Sequence, residues 1–158
     1  MAEQPVTDYH FIDALPNPSQ GENAHALLYE IVDCLRLLIE QGQPSRIDLG
    51  ALPIGEEDYE LLRNNLGEGP IQAEVADDGY VLVMETGIGG VWWLQELSDE
   101  EELVAEYLEV NLLPEALQVP PELIIDGRDA LQARLFQLGL GERKRKNDDG
   151  PPTATAGS

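Results

Sequence analysis

Apolar side chains recur at helical spacing between residues 22 and 41, where they form one stripe: Leu27, Leu28, Ile31, Leu35, Leu38 and Ile39. A period near 3.6 residues is typical of an amphipathic helix. Gly42 and Pro44 follow the stripe, and both residue types commonly end helices. The pattern therefore predicts a helix over Glu22–Gln41.

A second helix is predicted after Gly55, and it ends at Leu66. With Gly55 as the cap, three acidic residues fill the first turn, where the helix dipole favours negative charge. Ile54 and Tyr59 then occupy the two positions of a hydrophobic staple. A short strand, Arg46–Leu49, is predicted ahead of this helix.

After Pro70 the pattern changes to runs that are typical of strands: Ile71–Ala76, Tyr80–Glu85, Val91–Leu97 and Leu103–Val110. The connections between them are short and rich in glycine or acidic residues. Such connections favour antiparallel neighbours, so the four runs predict a meander.

A last helix is predicted over Gly127–Leu138, capped by Asp126. Its leucines Leu131, Leu135 and Leu138 are expected to be buried. The expected fold class is therefore α+β: an antiparallel sheet of four to five strands, with two to three helices packed on one face.

The two ends of the chain lack such patterns. Three prolines interrupt residues 1–21, which are expected to form an irregular arm. Residues 141–158 are rich in charged and small residues, and we expect this tail to be disordered. Residues 22–140 are expected to form a single α+β domain, because the 158 residues suit one domain with loose ends.

The chain is strongly acidic, with 31 acidic and nine basic residues and a net charge of −22. Four of the nine bases form one run, Arg143–Lys146. A surface of this charge repels phosphate backbones and anionic lipid leaflets, which argues against nucleic acid and membrane as partners. A basic protein surface is the natural complement.

Few residues are suited to catalysis or to metal binding. Cys34 is the only cysteine, and it lies beside the stripe of the first helix, where a small buried side chain is the expected role. His10 and His25 are the only histidines, and no ligand-spaced carboxylate accompanies them. Carboxylates are so numerous that a pair of them in the sequence is no evidence for acid–base catalysis. We predict no catalytic residue, no metal site and no cofactor.

No apolar run approaches the about 20 residues that a membrane span needs. The N-terminal sequence lacks the basic and apolar regions of a signal peptide. We therefore expect a cytoplasmic protein.

The two tryptophans are adjacent and follow the glycine-rich run Thr86–Gly90 directly. Neighbouring strand residues point to opposite faces, so the two rings are expected on opposite faces. More apolar neighbours favour Trp93 as the core residue and Trp92 as the interface residue, which a loop, an extra strand or a partner must cover. Both rings buried within the chain is the alternative. Because tryptophan is a common interface anchor, we predict a partner-binding site formed by Trp92, Trp93, Thr86, Gly87, Gly89 and Gly90.

Five segments carry a family resemblance: Leu52–Asp58, Leu66–Pro70, Glu85–Trp93, Glu106–Val110 and Pro114–Glu115. Together they resemble the conserved C-terminal domain of hydrogenase expression/formation proteins of the HupH/HyaF type, over about residues 22–118. The combination of a Leu-Pro-x-Gly-Glu helix start with a Gly-Val-Trp-Trp strand is the most specific part. The family commonly has proline where this chain has Gly89.

The resemblance implies a non-enzymatic, chaperone-like accessory protein that assists the maturation of nickel–iron uptake hydrogenases. It also implies two partners, the iron–sulfur small subunit before its export and a thioredoxin-like maturation chaperone. It supplies no catalytic residues. Two other interpretations stay open, namely a structural or regulatory subunit of a larger complex, and an enzyme that uses surface carboxylates.

Overall fold

The structure is a computed structural model that describes residues 8–15, 22–76 and 78–140. Its elements along the chain are β1 (His10–Ile12), α1 (Asn23–Gln41), β2 (Ser45–Asp48), α2 (Glu56–Leu66), β3 (Gln72–Ala76), β4 (Tyr80–Glu85), β5 (Val91–Leu97), β6 (Leu103–Val110) and α3 (Pro121–Gln137). A short 3-10 turn, Glu115–Leu117, precedes α3. The predicted tail, residues 141–158, and most of the predicted arm lie outside the described residues.

The described strands form one six-stranded sheet in the order β1-β2-β6-β5-β4-β3. The α+β fold class and the meander β3-β4-β5-β6 are confirmed, since each of these neighbours pairs antiparallel. The predicted count of four to five strands is too low by one. The additional strand is β1, which comes from the predicted arm and pairs parallel to β2. Three residues are too few for a sequence period to reveal a strand.

The helices α1 and α2 pack on one face of the sheet, which we call the helix face. The main hydrophobic core lies there, between Leu27, Ile31 and Leu62 of the helices and Ile47, Trp93 and Leu108 of the strands. A smaller cluster lies on the opposite face and contains Val83, Trp92, Leu94 and Tyr107. Ala116 and Leu117 of the 3-10 turn pack against that cluster.

The motif around Gly55 joins the starts of both helices. The Asp58 carboxylate accepts the backbone N–H of Gly55 at 3.2 Å, which caps α2 from within. Its other oxygen accepts the backbone N–H of Ala24 at 3.1 Å, in the first turn of α1. One buried carboxylate therefore satisfies two helix starts that would otherwise leave N–H groups unpaired. This explains structurally why the motif has an aspartate at that position.

The chain divides into two compact units, 1–118 and 119–158, and α3 belongs to the second. The predicted start of this helix is wrong, because α3 begins at Pro121, five residues before the expected cap Asp126. Proline is well suited to the first helical position, where its missing N–H costs nothing. The predicted burial is wrong as well: Leu131, Leu135 and Leu138 are 57%, 40% and 71% exposed.

The thiol of Cys34 faces the main core and is 1% exposed. Burial raises the pKa of this thiol, so little thiolate forms near neutral pH. We expect a thiol-alkylating reagent to leave the native protein unmodified and to label one thiol per chain after unfolding, as measured by mass spectrometry. Labelling of the native protein at the rate of a free cysteine would contradict the buried position.

Candidate partner-binding surface

Two glycine-containing segments meet at one end of the sheet. The backbone N–H of Gly87 donates to the Leu66 carbonyl at 2.8 Å, and that of Gly69 donates to the Glu85 carbonyl at 2.8 Å. A side chain at residue 69 would lie 2.6 Å from the Thr86 carbonyl oxygen, so only glycine allows this close approach. Two segments of the family resemblance, 66–70 and 85–93, are thus hydrogen-bonded into one loop pair.

Thr86 and Gly90 fix the shape of the glycine-rich loop from below. Thr86 is 4% exposed, and its hydroxyl donates to the Val91 carbonyl at 2.8 Å. Gly90 has a φ of +89°, a left-handed conformation that favours glycine. Its carbonyl accepts the backbone N–H of Asn111 at 2.9 Å, which ties the loop to the end of β6.

Both tryptophans lie beneath this loop, each 5% exposed. They point to opposite faces, and Trp93 belongs to the main core, as expected. Trp92 is not the exposed interface residue, because the segment after β6 covers its ring within the chain, as in the alternative of two buried rings. The Trp92 indole N–H donates to the Asn111 carbonyl at 3.1 Å, so the ring also holds that segment in place.

The exposed part of this end of the sheet is apolar. Gly87, Ile88 and Gly89 are exposed at the tip of the loop. Leu112 and Leu113, which directly follow Asn111, are 84% and 44% exposed. We call these five residues the glycine-loop surface. Of the predicted site residues, the structure places Gly87 and Gly89 at this surface, Thr86, Gly90 and Trp92 in the contacts that hold it, and Trp93 in the main core.

Sequence reasoning missed Leu112 and Leu113. Their signal was available, because two leucines stand in a turn between the end of a strand and Pro114. Apolar residues in a turn are normally scarce, and a pair of them at the end of a strand indicates a surface feature.

Beside this end of the sheet, the opposite face holds a buried ion pair. The carboxylate of Glu109 is fully buried and accepts a hydrogen bond from Arg46 at 2.9 Å. The Arg46 guanidinium lies between the rings of Tyr9 and Tyr107, 4.9 and 4.5 Å from their centroids. Glu109 also accepts the backbone N–H of Glu115 at 2.9 Å, which anchors the 3-10 turn. Glu109 also accepts the Asn111 side-chain amide at 3.3 Å, so it holds the segment that carries Leu112 and Leu113 at both of its ends.

A second buried carboxylate, Glu106, lies on the helix face. It accepts hydrogen bonds from the Tyr59 hydroxyl, from the Trp93 indole N–H at 3.1 Å and from the Gln95 amide at 2.5 Å. Glu106 and Glu109 are three residues apart on one strand and so point to opposite faces. They do not form an acid–base pair, and each has several hydrogen-bond donors of its own.

These contacts raise the pKa values of Tyr107, which is buried, and of Tyr9 and Tyr59, which are half-buried. Burial raises the pKa of Tyr9 to about 12, with a further contribution from Glu109. Burial likewise raises the pKa of Tyr107 to about 12, although Arg46 opposes the change. The pKa of Tyr59 is raised by burial and by its hydrogen bond to Glu106.

We expect the stability of the protein to fall as the pH rises from about 10 to about 12. The ordinary pKa of tyrosine is about 10, so the unfolded chain loses these protons at a lower pH than the folded protein. The stabilisation from the protonated tyrosines is therefore complete below pH 10 and is lost as the pH rises through the folded pKa values. Tyrosinate absorbance should therefore lag behind that of the urea-unfolded protein over this range. Coincident titration curves for the folded and unfolded protein would contradict the buried positions.

Among the described residues, no group of three or more His, Cys, Asp or Glu side chains is arranged to hold a metal ion. In the same part of the chain, no helix is long and apolar enough to cross a membrane.

The sequence model for the HupH hydrogenase expression protein, C-terminal conserved region, matches residues 22–138. The hydrogenase expression/formation protein HupQ of Azotobacter chroococcum is 30% identical over 117 residues, which cover 73% of this chain and 41% of HupQ. The hydrogenase-1 operon protein HyaF of Escherichia coli is 30% identical over 118 residues, which cover 74% of this chain and 41% of HyaF. The chain thus spans about two fifths of the length of these relatives.

A solved structure, the hydrogenase expression protein HupH from Thiobacillus denitrificans, superposes with a TM-score of 0.70 at 34% sequence identity. The superposition covers 75% of this chain and 99% of that one. The similarity in sequence and in fold therefore extends over nearly the whole of the solved chain. From its sequence and its fold together, this chain belongs to the HupH family of hydrogenase expression/formation accessory proteins and corresponds to their C-terminal conserved region.

Proposed function

We propose that this protein is a non-enzymatic chaperone that binds the iron–sulfur small subunit of a nickel–iron hydrogenase in the cytoplasm, before export. The contact is made by the glycine-loop surface. The observation that carries this proposal is the exposed Leu112–Leu113 pair, which the Trp92 and Gly90 contacts to Asn111 and the Glu109 contact to Glu115 hold beside the glycine-rich loop. Exposed leucines on a fixed support are suited to binding rather than to chemistry.

The loop tip is suited to an extended client segment. Gly87 and Gly89 are exposed and carry no side chains, so a client can approach the backbone at the loop tip, where the Gly87 N–H is already donated to the Leu66 carbonyl. A client segment can approach such a backbone closely and place apolar side chains against Ile88 and Leu112. The binding surface would thus combine backbone contacts with apolar contacts, which accommodates a folding intermediate.

The charge of the protein favours a client with basic residues around an apolar segment. Glu68 is exposed and its backbone lies next to Gly87, and the net charge of the whole chain is −22. Complementary charge speeds encounter and discriminates against acidic partners. A basic surface on an immature subunit would satisfy this condition.

The carboxylates support binding rather than catalysis. The two buried carboxylates of β6, Glu106 and Glu109, are each engaged by several donors and lie on opposite faces of the strand. A general acid or base must instead reach a substrate proton directly. Glu109 holds the segment that carries the surface, and Glu106 joins residues of the helix face.

We expect the Leu112→Glu variant to fail in hydrogenase maturation in the organism that encodes the chain. After deletion of the gene, the wild-type copy should restore hydrogen-uptake activity, whereas Leu112→Glu should not. Leu103→Glu is the matched control, because Leu103 is also exposed, at 55%, but lies at the start of β6, away from the surface. Full restoration by Leu112→Glu at equal protein level would contradict the proposal.

A further inference from the structure

Strand β3 forms one edge of the sheet, because β4 is its only neighbour among the described strands. Its residues Gln72, Glu74 and Ala76 are exposed, whereas Ala73 and Val75 are half-buried. Proteins commonly protect such an edge with proline, a bulge or several charged side chains. β3 has no proline, its register with β4 is continuous, and Glu74 is its only charged residue. The edge is therefore open to pairing with a further strand.

The hydrogen bonds between β3 and β4 show which backbone groups face away from the sheet. At one end of this strand pair, the Glu85 N–H donates to the Ile71 carbonyl at 2.8 Å. Pairs with and without hydrogen bonds alternate along antiparallel strands, so the odd-numbered residues of β3 bond to β4. The N–H and C=O groups of Gln72, Glu74 and Ala76 therefore point outwards. An added strand needs backbone groups at this spacing.

The two faces of this edge differ in chemistry. Ala73 packs against the smaller cluster on the opposite face, so Glu74 lies on the helix face. Asp78, in the turn that follows, is exposed as well. The side chains of an added strand also alternate, so one set would lie beside Glu74 and the other beside Ala73 and Val75. Because opposite charges on neighbouring strands attract, the edge fits a segment in which basic and apolar residues alternate.

A second copy of the chain fits this edge poorly. The antiparallel pairing that uses all three open residues of both copies places Glu74 opposite Glu74. Like charges directly opposite each other destabilise a strand pair. The second compact unit offers no strand either, since its described residues contain only the helix α3. The occupant that fits is therefore a segment of another protein.

We propose that the open edge of β3 binds an extended segment of another protein, in which basic residues alternate with apolar ones. The segment adds a strand to the sheet through the backbone groups of Gln72, Glu74 and Ala76. Its basic side chain pairs with Glu74, and its apolar side chains cover Ala73 and Val75. The edge uses no residue of the glycine-loop surface, so this proposal does not rest on the proposed function.

Amide hydrogen exchange of the full chain, measured by nuclear magnetic resonance, tests the pairing. The probe is a short synthetic peptide of alternating valine and lysine, and the control is the matching peptide of valine and glutamate. Without peptide, we expect Ala73 and Val75 to be protected and Gln72, Glu74 and Ala76 to exchange rapidly. At saturation, the lysine peptide should slow exchange at these three amides by at least about tenfold, and the glutamate peptide should not. Unchanged exchange with the lysine peptide, or protection of the three amides without any peptide, would overturn the proposal.

Two variants of Glu74 separate the backbone contribution from the charge. Glu74→Pro removes an outward N–H, which an edge strand tolerates, and we expect it to weaken binding of the lysine peptide by at least about tenfold. Glu74→Gln keeps the backbone, and we expect weaker binding that depends less on salt. Glu40→Gln is the control, because Glu40 is exposed on α1, and it should bind like the wild type. Wild-type affinity of either Glu74 variant would contradict the proposal.

Discussion

Trp93→Ala is expected to lower the free energy of unfolding by about 3–5 kcal/mol, and Trp92→Ala by a similar amount. Each indole is 5% exposed and fills a different core, so either truncation leaves a large cavity. Denaturant unfolding monitored by circular dichroism measures both values. A loss below about 1 kcal/mol for Trp92→Ala would show that its ring has no cover within the chain.

Substitution by phenylalanine separates stability from binding, because it keeps an aromatic ring in each core while it removes the indole N–H with the five-membered ring. Trp92→Phe loses the hydrogen bond to the Asn111 carbonyl. We therefore expect the segment that carries Leu112 and Leu113 to be held less firmly and client binding to be weaker. Trp93→Phe loses the bond to Glu106 on the helix face, so we expect lower stability with client binding unchanged. Equal effects of both variants on binding would contradict the supporting role assigned to Trp92.

Glu109→Ala is expected to lower the free energy of unfolding by about 3 kcal/mol. The substitution leaves the Arg46 guanidinium without its buried partner and leaves the N–H of Glu115 without an acceptor. The value lies at the low end for buried ion pairs, because the Arg46 side chain keeps 26% exposure.

Glu115→Ala is the matched control, since Glu115 contacts the same guanidinium at 3.3 Å but its side chain is 62% exposed. Exposed ion pairs contribute less than about 1 kcal/mol. Chemical denaturation of the two variants under identical conditions gives the comparison. If Glu109→Ala costs no more than Glu115→Ala, then the ion pair does not anchor the 3-10 turn.

The central part of the fold could be predicted from the sequence because its signals are local. Strands β4, β5 and β6 have the predicted bounds, and α1 differs by one residue at its start. Each combines a clear period with glycine or acidic turns. β1 could not be predicted, because its three residues are held by pairing with β2, which lies more than 30 residues further along the chain.

The part of the site that depends on local sequence was predicted, whereas the part that depends on long-range contacts was not. Glycine-rich composition located the loop, and strand alternation placed the two tryptophans on opposite faces. Burial of Trp92 depends on the fold-back of residues 111–118, and that fold-back depends on Glu109 and Arg46. Such an ion pair joins residues 63 positions apart, and in a chain with 31 acids no pattern singles out one carboxylate. The leucines that the fold-back exposes were missed although their local signal, two leucines directly before Pro114, was present in the sequence.

The affinity of the purified chain for the hydrogenase small-subunit precursor tests the proposed function most directly. Titration calorimetry should compare the wild type with Leu112→Glu and with the control Leu103→Glu. We predict saturable binding by the wild type and by Leu103→Glu, and an affinity at least about tenfold weaker for Leu112→Glu. Absence of binding by the wild type, or equal affinities for all three proteins, would contradict the glycine-loop surface as the client site.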